Sequence, residues 1–177
     1  MPQGQFSTIV APVDFAEAED EDGGFVADAG THGVSFSPGT VRAVKLAASL
    51  AASHGATLYL LHAVPPMRGS AVYQGPVSVP SKIIDEIHER AQATSREAMQ
   101  SLAEAHAPGV KVGYAIAPGN PLQYVLAQAA SLSADLIVMA ASGRSRVARL
   151  FVGSTADRII REANCPVLVV PALRDED

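Results

Sequence analysis

The chain alternates between two kinds of apolar pattern. Short β-branched or aliphatic runs at Thr8–Pro12, Thr57–Ala63, Val110–Ile116, Asp135–Ala140 and Pro166–Val170 predict five strands. The second, fourth and fifth are almost continuously apolar, as expected of parallel strands covered on both faces. Stripes at helical spacing lie between them. The first helix is expected to open at Ser37-Pro38, a capping residue followed by proline, and to stop at Gly55, with Ala43, Ala47, Leu50 and Ala51 facing inward. The second runs from about Ser81 to His106, striped by Ile83, Ile84, Ile87, Ala91, Ala98 and Leu102, and Pro108-Gly109 ends it. Asn120-Pro121 opens the third, which buries Leu122, Val125, Leu126 and Ala129. A fourth follows Gly153-Ser154, where Ser154 and Asp157 have capping-box spacing.

Strands alternating with helices predict an α/β fold: a doubly wound, parallel, five-stranded sheet with right-handed crossovers and helices on both faces. A length of 177 residues predicts one domain over 1–177. Two segments break the rhythm. Residues 64–80, rich in Pro, Gly and Ser, read as a long loop. Residues 16–36 are an insertion between the first strand and first helix, where a few residues usually suffice.

Charge narrows the partners. The net charge of −5 argues against nonspecific binding to nucleic acid or to an anionic membrane. It also hides an asymmetry. Residues 16–36 hold Glu17, Glu19, Asp20, Glu21, Asp22 and Asp28 without a base, whereas Arg144, Arg146, Arg149, Arg158 and Arg161 stand against Asp157 alone between 140 and 161. Two readings stay open: a solvated arginine face with a separate acidic loop, or an acidic loop folded over a basic rim. The single Cys165 excludes an intramolecular disulfide and reads as a small buried hydrophobe. No apolar stretch approaches about 18 residues and no leader pattern opens the chain, so the expected location is the cytoplasm.

In an open parallel sheet, ligands bind outside the carboxyl ends of the strands, where the strand order reverses. The connection after the fourth strand is the most informative. Small residues around Gly143 lead, ten positions later, to Gly153-Ser154 at a helix start. Such a loop lets main-chain amides approach phosphate, and a helix N-terminus adds donors and a favourable dipole. Neither a Walker A loop nor a dinucleotide Gly-x-Gly-x-x-Gly is present. The histidines share no metal spacing, and Asp20, Asp22 and Gly24 lack the rest of a calcium loop. His62, ending an apolar strand, reads as a packed histidine. No nucleophile–base pair, paired carboxylates or Walker B-like acid is found, so catalysis is not expected.

The runs Asp135-Leu-Ile-Val-Met-Ala-Ala-Ser-Gly-Arg-Ser, Leu150-Phe-Val-Gly-Ser-Thr-Ala-Asp-Arg-Ile-Ile and Cys165-Pro-Val-Leu-Val-Val resemble the universal stress proteins. Ile9-Val-Ala-Pro-Val-Asp and Gly55-Ala-Thr-Leu-Tyr-Leu-Leu-His-Ala-Val fit as well. The resemblance implies the adenine nucleotide alpha hydrolase-like fold, with strand order 3-2-1-4-5. It implies ATP binding in a stress response, at most slow hydrolysis, and a homodimer through the last strand at 166–170; a divalent ion such as Mg²⁺ could accompany the triphosphate, though the sequence offers no dedicated ligand set. The nucleotide-binding branch carries Gly-x-x-Gly, nine residues, then Gly-Ser or Gly-Thr. Here that pattern falls on Ala140, Gly143, Gly153 and Ser154, with Ala140 replacing the first glycine. By the same resemblance, Pro12, Val13 and Asp14 border the nucleoside, with Asp14 on the ribose hydroxyls and Val13 and Ala63 flanking adenine. Gly143, Arg144, Ser145, Gly153, Ser154 and Thr155 would surround the phosphates. Two alternatives remain: a nucleotide-free dimeric scaffold of the same fold, favoured by Ala140, and an adenylating enzyme. The latter needs a Ser-Gly-Gly-type loop where Asp14-Phe15 stands.

Overall fold

A computed structural model describes residues 6–16, 35–64, 81–141 and 153–171. The elements run β1 (Thr8–Pro12), β2 (Phe15–Ala16), β3 (Ser35–Phe36), α1 (Pro38–His54), β4 (Thr57–Val64), α2 (Ser81–His106), β5 (Lys111–Pro118), α3 (Pro121–Ser131), β6 (Leu136–Ala140), α4 (Ser154–Glu162) and β7 (Val167–Val170). All pairs in the main sheet are parallel, in the order β5-β4-β1-β6-β7. Without the short β2–β3 ladder, this is the expected 3-2-1-4-5.

Alternation along the central strands assigns each helix pair to a face. Ile9, Ala11, Leu58, Leu60, Leu136 and Val138 pack beneath α1 and α2, against Val44, Ala47, Met99 and Leu102. Val10, Leu61, Ile137 and Met139 point the other way, against Leu122 and Val125 of α3 and Ala156 and Ile159 of α4. Ile9, Leu58, Leu60 and Ile137 are fully buried, and each such side chain contributes about 1.5–3 kcal/mol of transfer free energy. Asp135 joins the strand beginnings: one carboxylate oxygen accepts the Ser7 and Thr8 N–H groups at 2.7 and 2.9 Å.

The caps on α1 and α3 form as expected. The Ser37 hydroxyl accepts the Thr40 N–H at 3.1 Å, and the Asn120 side chain accepts that of Gln123 at 3.3 Å. Gly55 ends α1 with φ of 65°, a left-handed conformation that favours glycine.

Four features differ from the sequence expectations. Residues 16–36 are not wholly a loop, because Phe15↔Phe36 and Ala16↔Ser35 form an antiparallel stem. The fifth strand is not covered on both faces: β7 is a sheet edge, and Leu168 is 37% exposed. On α2, Ile84, Ala98 and Leu102 are buried but Ile83 and Ile87 are exposed, so the buried stripe is narrower than the apolar one. Finally, α4 is capped at Gly153, so Ser154 becomes its first helical residue and forms no capping box.

Candidate functional site

β1 leads into α1 on one face of the sheet, and β6 leads towards α4 on the other. The order therefore reverses between β1 and β6, which opens a crevice at their carboxyl ends. The pairing records that opening. β1 pairs with β4 as far as Pro12↔Leu61, and the Val13 N–H continues to the Leu61 carbonyl at 2.8 Å. Its ladder with β6 stops at Val10↔Ile137, although β6 runs on to Ala140.

Pro12, Val13 and Asp14 lie on the β1 side of this crevice and Ala140 on the β6 side. Val13 is buried and Asp14 is exposed. Thr40 of α1 donates its hydroxyl to the Asp14 carbonyl at 3.3 Å. Ala63 is buried on β4, two residues past Leu61, and so lies across β1 from the crevice. Gly143, Arg144 and Ser145 fall outside the described residues, as do Arg146, Arg149 and the acids from Glu17 to Asp28.

Gly153, Ser154 and Thr155 form the start of α4, which returns from the carboxyl edge of β6 to the beginning of β7. The cap residue Gly153 has no side chain, and among the described residues no side-chain oxygen caps that end. Asp157, the residue expected to complete a capping box, instead accepts the Arg161 Nε–H and Nη2–H at 3.0 and 3.1 Å. This pairing holds its carboxyl below the usual carboxylate range. Arg158 pairs with Glu162 at 3.0 Å. On α4 the arginines are thus a solvated, internally paired face. The first-turn amides receive no capping oxygen from the helix's own described side chains, which leaves donors of the kind that suit an anion.

Ala140 is the departure from the glycine motif, and its surroundings define what the methyl group does. It packs against the cluster under α1. A Cβ built on Gly39, in the first turn of α1, would lie 3.3 Å from the Ala140 Cβ. Ala140 shares the face of Leu136 and Val138, opposite the helix layer of α4. Its methyl group is therefore accommodated by a glycine in the neighbouring helix.

His62 is buried, as a packed histidine should be. Its Nδ1 lies 3.0 Å from the Val13 carbonyl oxygen. A carbonyl only accepts, so Nδ1 carries the proton. Burial lowers the His62 pKa below 6.5, against smaller opposing effects of the Val13 hydrogen bond and the Asp14 charge. The unfolded chain then takes up this proton first as pH falls. Stability should be greatest above about pH 6.5 and decline below it, with a shallower decline in His62→Phe. Denaturant titrations between pH 7.5 and 5.5 measure both slopes, and parallel slopes would refute the assignment. Burial and the Asp135 charge raise the Cys165 thiol pKa, so it carries little thiolate at neutral pH. Among the described residues, no three His, Cys, Asp or Glu side chains group as a metal site, and no helix is long and apolar enough to cross a membrane.

The model of the universal stress protein family matches residues 32–171. A curated relative from Thermus aquaticus, the universal stress protein encoded in the QAH/OAS sulfhydrylase 3′ region, is 33% identical over 132 residues. That match covers 73% of this chain and 88% of the relative. The chain belongs to the universal stress protein family. Among solved structures, the hypothetical protein MJ0577 superposes with a TM-score of 0.71 at 19% identity, covering 97% of this chain and 99% of that one. A universal stress protein solved in complex with cAMP has a TM-score of 0.56 at 22% identity, covering 95% and 98%. The family match begins only at residue 32, so this universal stress protein has β1 outside it. The structure nevertheless seats β1 in the centre of the sheet.

Proposed function

We propose that this universal stress protein binds an adenine nucleotide, with ATP preferred, in the crevice between β1 and β6. The observation that carries this reading is that the strand before the crevice leads to a helix start whose cap, Gly153, has no side chain. The β1–β6 ladder ends at Val10↔Ile137, Asp14 stands exposed at the rim, and among the described residues the first amides of α4 have no capping side chain. A carboxylate suits ribose hydroxyls and free amides suit phosphate oxygens. The structural relative solved with cAMP supports the ligand class. Mg²⁺ would arrive with the triphosphate. The protein would hold the nucleotide as a sensor or regulator in a stress response in the cytoplasm, without rapid turnover. A second copy would dock along the exposed edge of β7, where Leu168 projects. Calorimetry with ATP, together with mass spectrometry of the protein after denaturation, tests the binding. No uptake at millimolar ATP and no carried nucleotide would refute it.

The rival reading, a nucleotide-free scaffold, rests on Ala140 blocking the site, and Ala140→Gly separates the two. Because the methyl group faces Gly39, its removal should leave ATP affinity within about threefold and cost about 0.5–1 kcal/mol of stability, as glycine does inside a strand. A gain of tenfold or more in affinity would instead mean that the methyl group obstructs the nucleotide.

A further inference from the structure

His62 is the buried titratable group that the nucleotide reading leaves unused. It sits at the carboxyl end of β4, where its Nδ1–H donates to the Val13 carbonyl at 3.0 Å. Its ring also meets Phe15 edge-on, with centroids 4.2 Å apart and planes at 64°. Phe15 in turn packs on Phe36 at 5.0 Å, and these two residues form the first rung of the β2–β3 stem. Phe15 follows Asp14 directly, and both phenylalanines rest on the core beneath α1. An unbroken series of contacts thus runs from the base of the acidic insertion to the peptide unit that orients Asp14.

That peptide unit and the one on either side of it are each held by a bond. The Val13 N–H is taken by Leu61, the Val13 carbonyl by His62 and the Asp14 carbonyl by Thr40. Of these holds, only the His62 contact also touches the stem. From the elements packed around it, the group charged at neutral pH that acts on His62 is Asp14, while Ile116 stands opposite it on β5.

We propose that His62 is a positioning residue for the nucleotide site, fixing the Val13–Asp14 peptide and coupling it to the β2–β3 stem through Phe15 and Phe36. The proposal rests on the nucleotide reading above. Without the His62 donor, the Val13 carbonyl can rotate and Asp14 loses its fixed direction. Ordering one residue's backbone again on binding would weaken affinity about tenfold.

The test titrates ATP into wild type, His62→Leu, His62→Asn, Phe36→Ala and Leu102→Ala, and follows amide hydrogen exchange at residues 13–16. His62→Leu should weaken ATP about tenfold and accelerate exchange at Phe15 and Ala16. His62→Asn, whose side-chain amide places a donor where Nδ1 was, should recover to within about threefold of wild type. Phe36→Ala should shift affinity and exchange in the same direction as His62→Leu. Leu102→Ala, in α2 and outside the series His62–Phe15–Phe36, should lose stability but keep its affinity. Equal weakening in Leu102→Ala, or wild-type affinity and exchange in both His62→Leu and Phe36→Ala, would overturn the proposal. If His62→Leu does not fold, Phe36→Ala and the Asn variant decide it. If wild type takes up no nucleotide, the nucleotide reading fails, and exchange alone decides whether stem and Val13 are coupled.

Discussion

Asp14→Ala should weaken ATP binding by more than about a hundredfold. A carboxylate that accepts two ribose hydroxyls makes charge-assisted hydrogen bonds, each worth about 1.5–3 kcal/mol, and the variant loses both. The residue is exposed, so global stability should fall by less than about 1 kcal/mol. Affinity and folding are thereby separated. The ligand supplies a second separation: 2′-deoxy-ATP lacks one of the two hydroxyls. Wild type should prefer ATP to the deoxynucleotide by at least about tenfold, and Asp14→Ala should distinguish them little. Calorimetric titration of both proteins with both nucleotides gives the coupling directly. An undiminished preference in the variant would remove Asp14 from the ribose, even if total affinity had dropped.

The sequence disclosed what periodicity and caps encode. Thr8–Pro12 and Ser81–His106 stand where their apolar patterns placed them, and Ser37, Asn120 and Gly55 cap as their chemistry requires. It disclosed less where tertiary context decides. An apolar run such as Val167–Val170 reads the same in a central strand and at an edge, because only the neighbouring strand distinguishes them. Two-residue strands have no period to read. The signal for the stem was the pair of phenylalanines, Phe15 and Phe36, bracketing an acidic run, since aromatic residues facing across a ladder stabilise it.

The site followed the same division. The places of Asp14 after β1 and Gly153 at the start of α4 were legible because one follows a strand and the other opens a helix. The role of Ala140 was not legible. Whether its methyl group enters the crevice depends on Gly39, about a hundred residues earlier in the chain, and no local pattern links the two. Nor did spacing distinguish Gly153 from Ser154 as the cap of α4. The neighbouring pair Asp157–Arg161 resolves this, because Asp157 faces along the helix to its partner rather than back to the helix start.

That helix start permits a substitution whose effects on stability and binding have opposite signs. Gly153 has φ of −55° and ψ of 154°, a conformation open to any residue, so Gly153→Asp introduces no backbone strain. The new carboxylate would accept the first-turn amides that now lack a side-chain partner and would complement the helix dipole. Together these effects should stabilise the protein by about 0.5–1 kcal/mol. The same carboxylate would occupy the donors proposed for phosphate and repel a polyphosphate, so ATP affinity should fall at least about a hundredfold. Gly153→Asn supplies the cap without the charge and should lose less affinity. The gap between the two variants should narrow as salt is raised, because screening weakens only the repulsive part. Melting curves and ATP titrations at two salt concentrations read all three quantities. A Gly153→Asp protein that melts higher and still binds ATP like wild type would show that phosphate does not sit on α4.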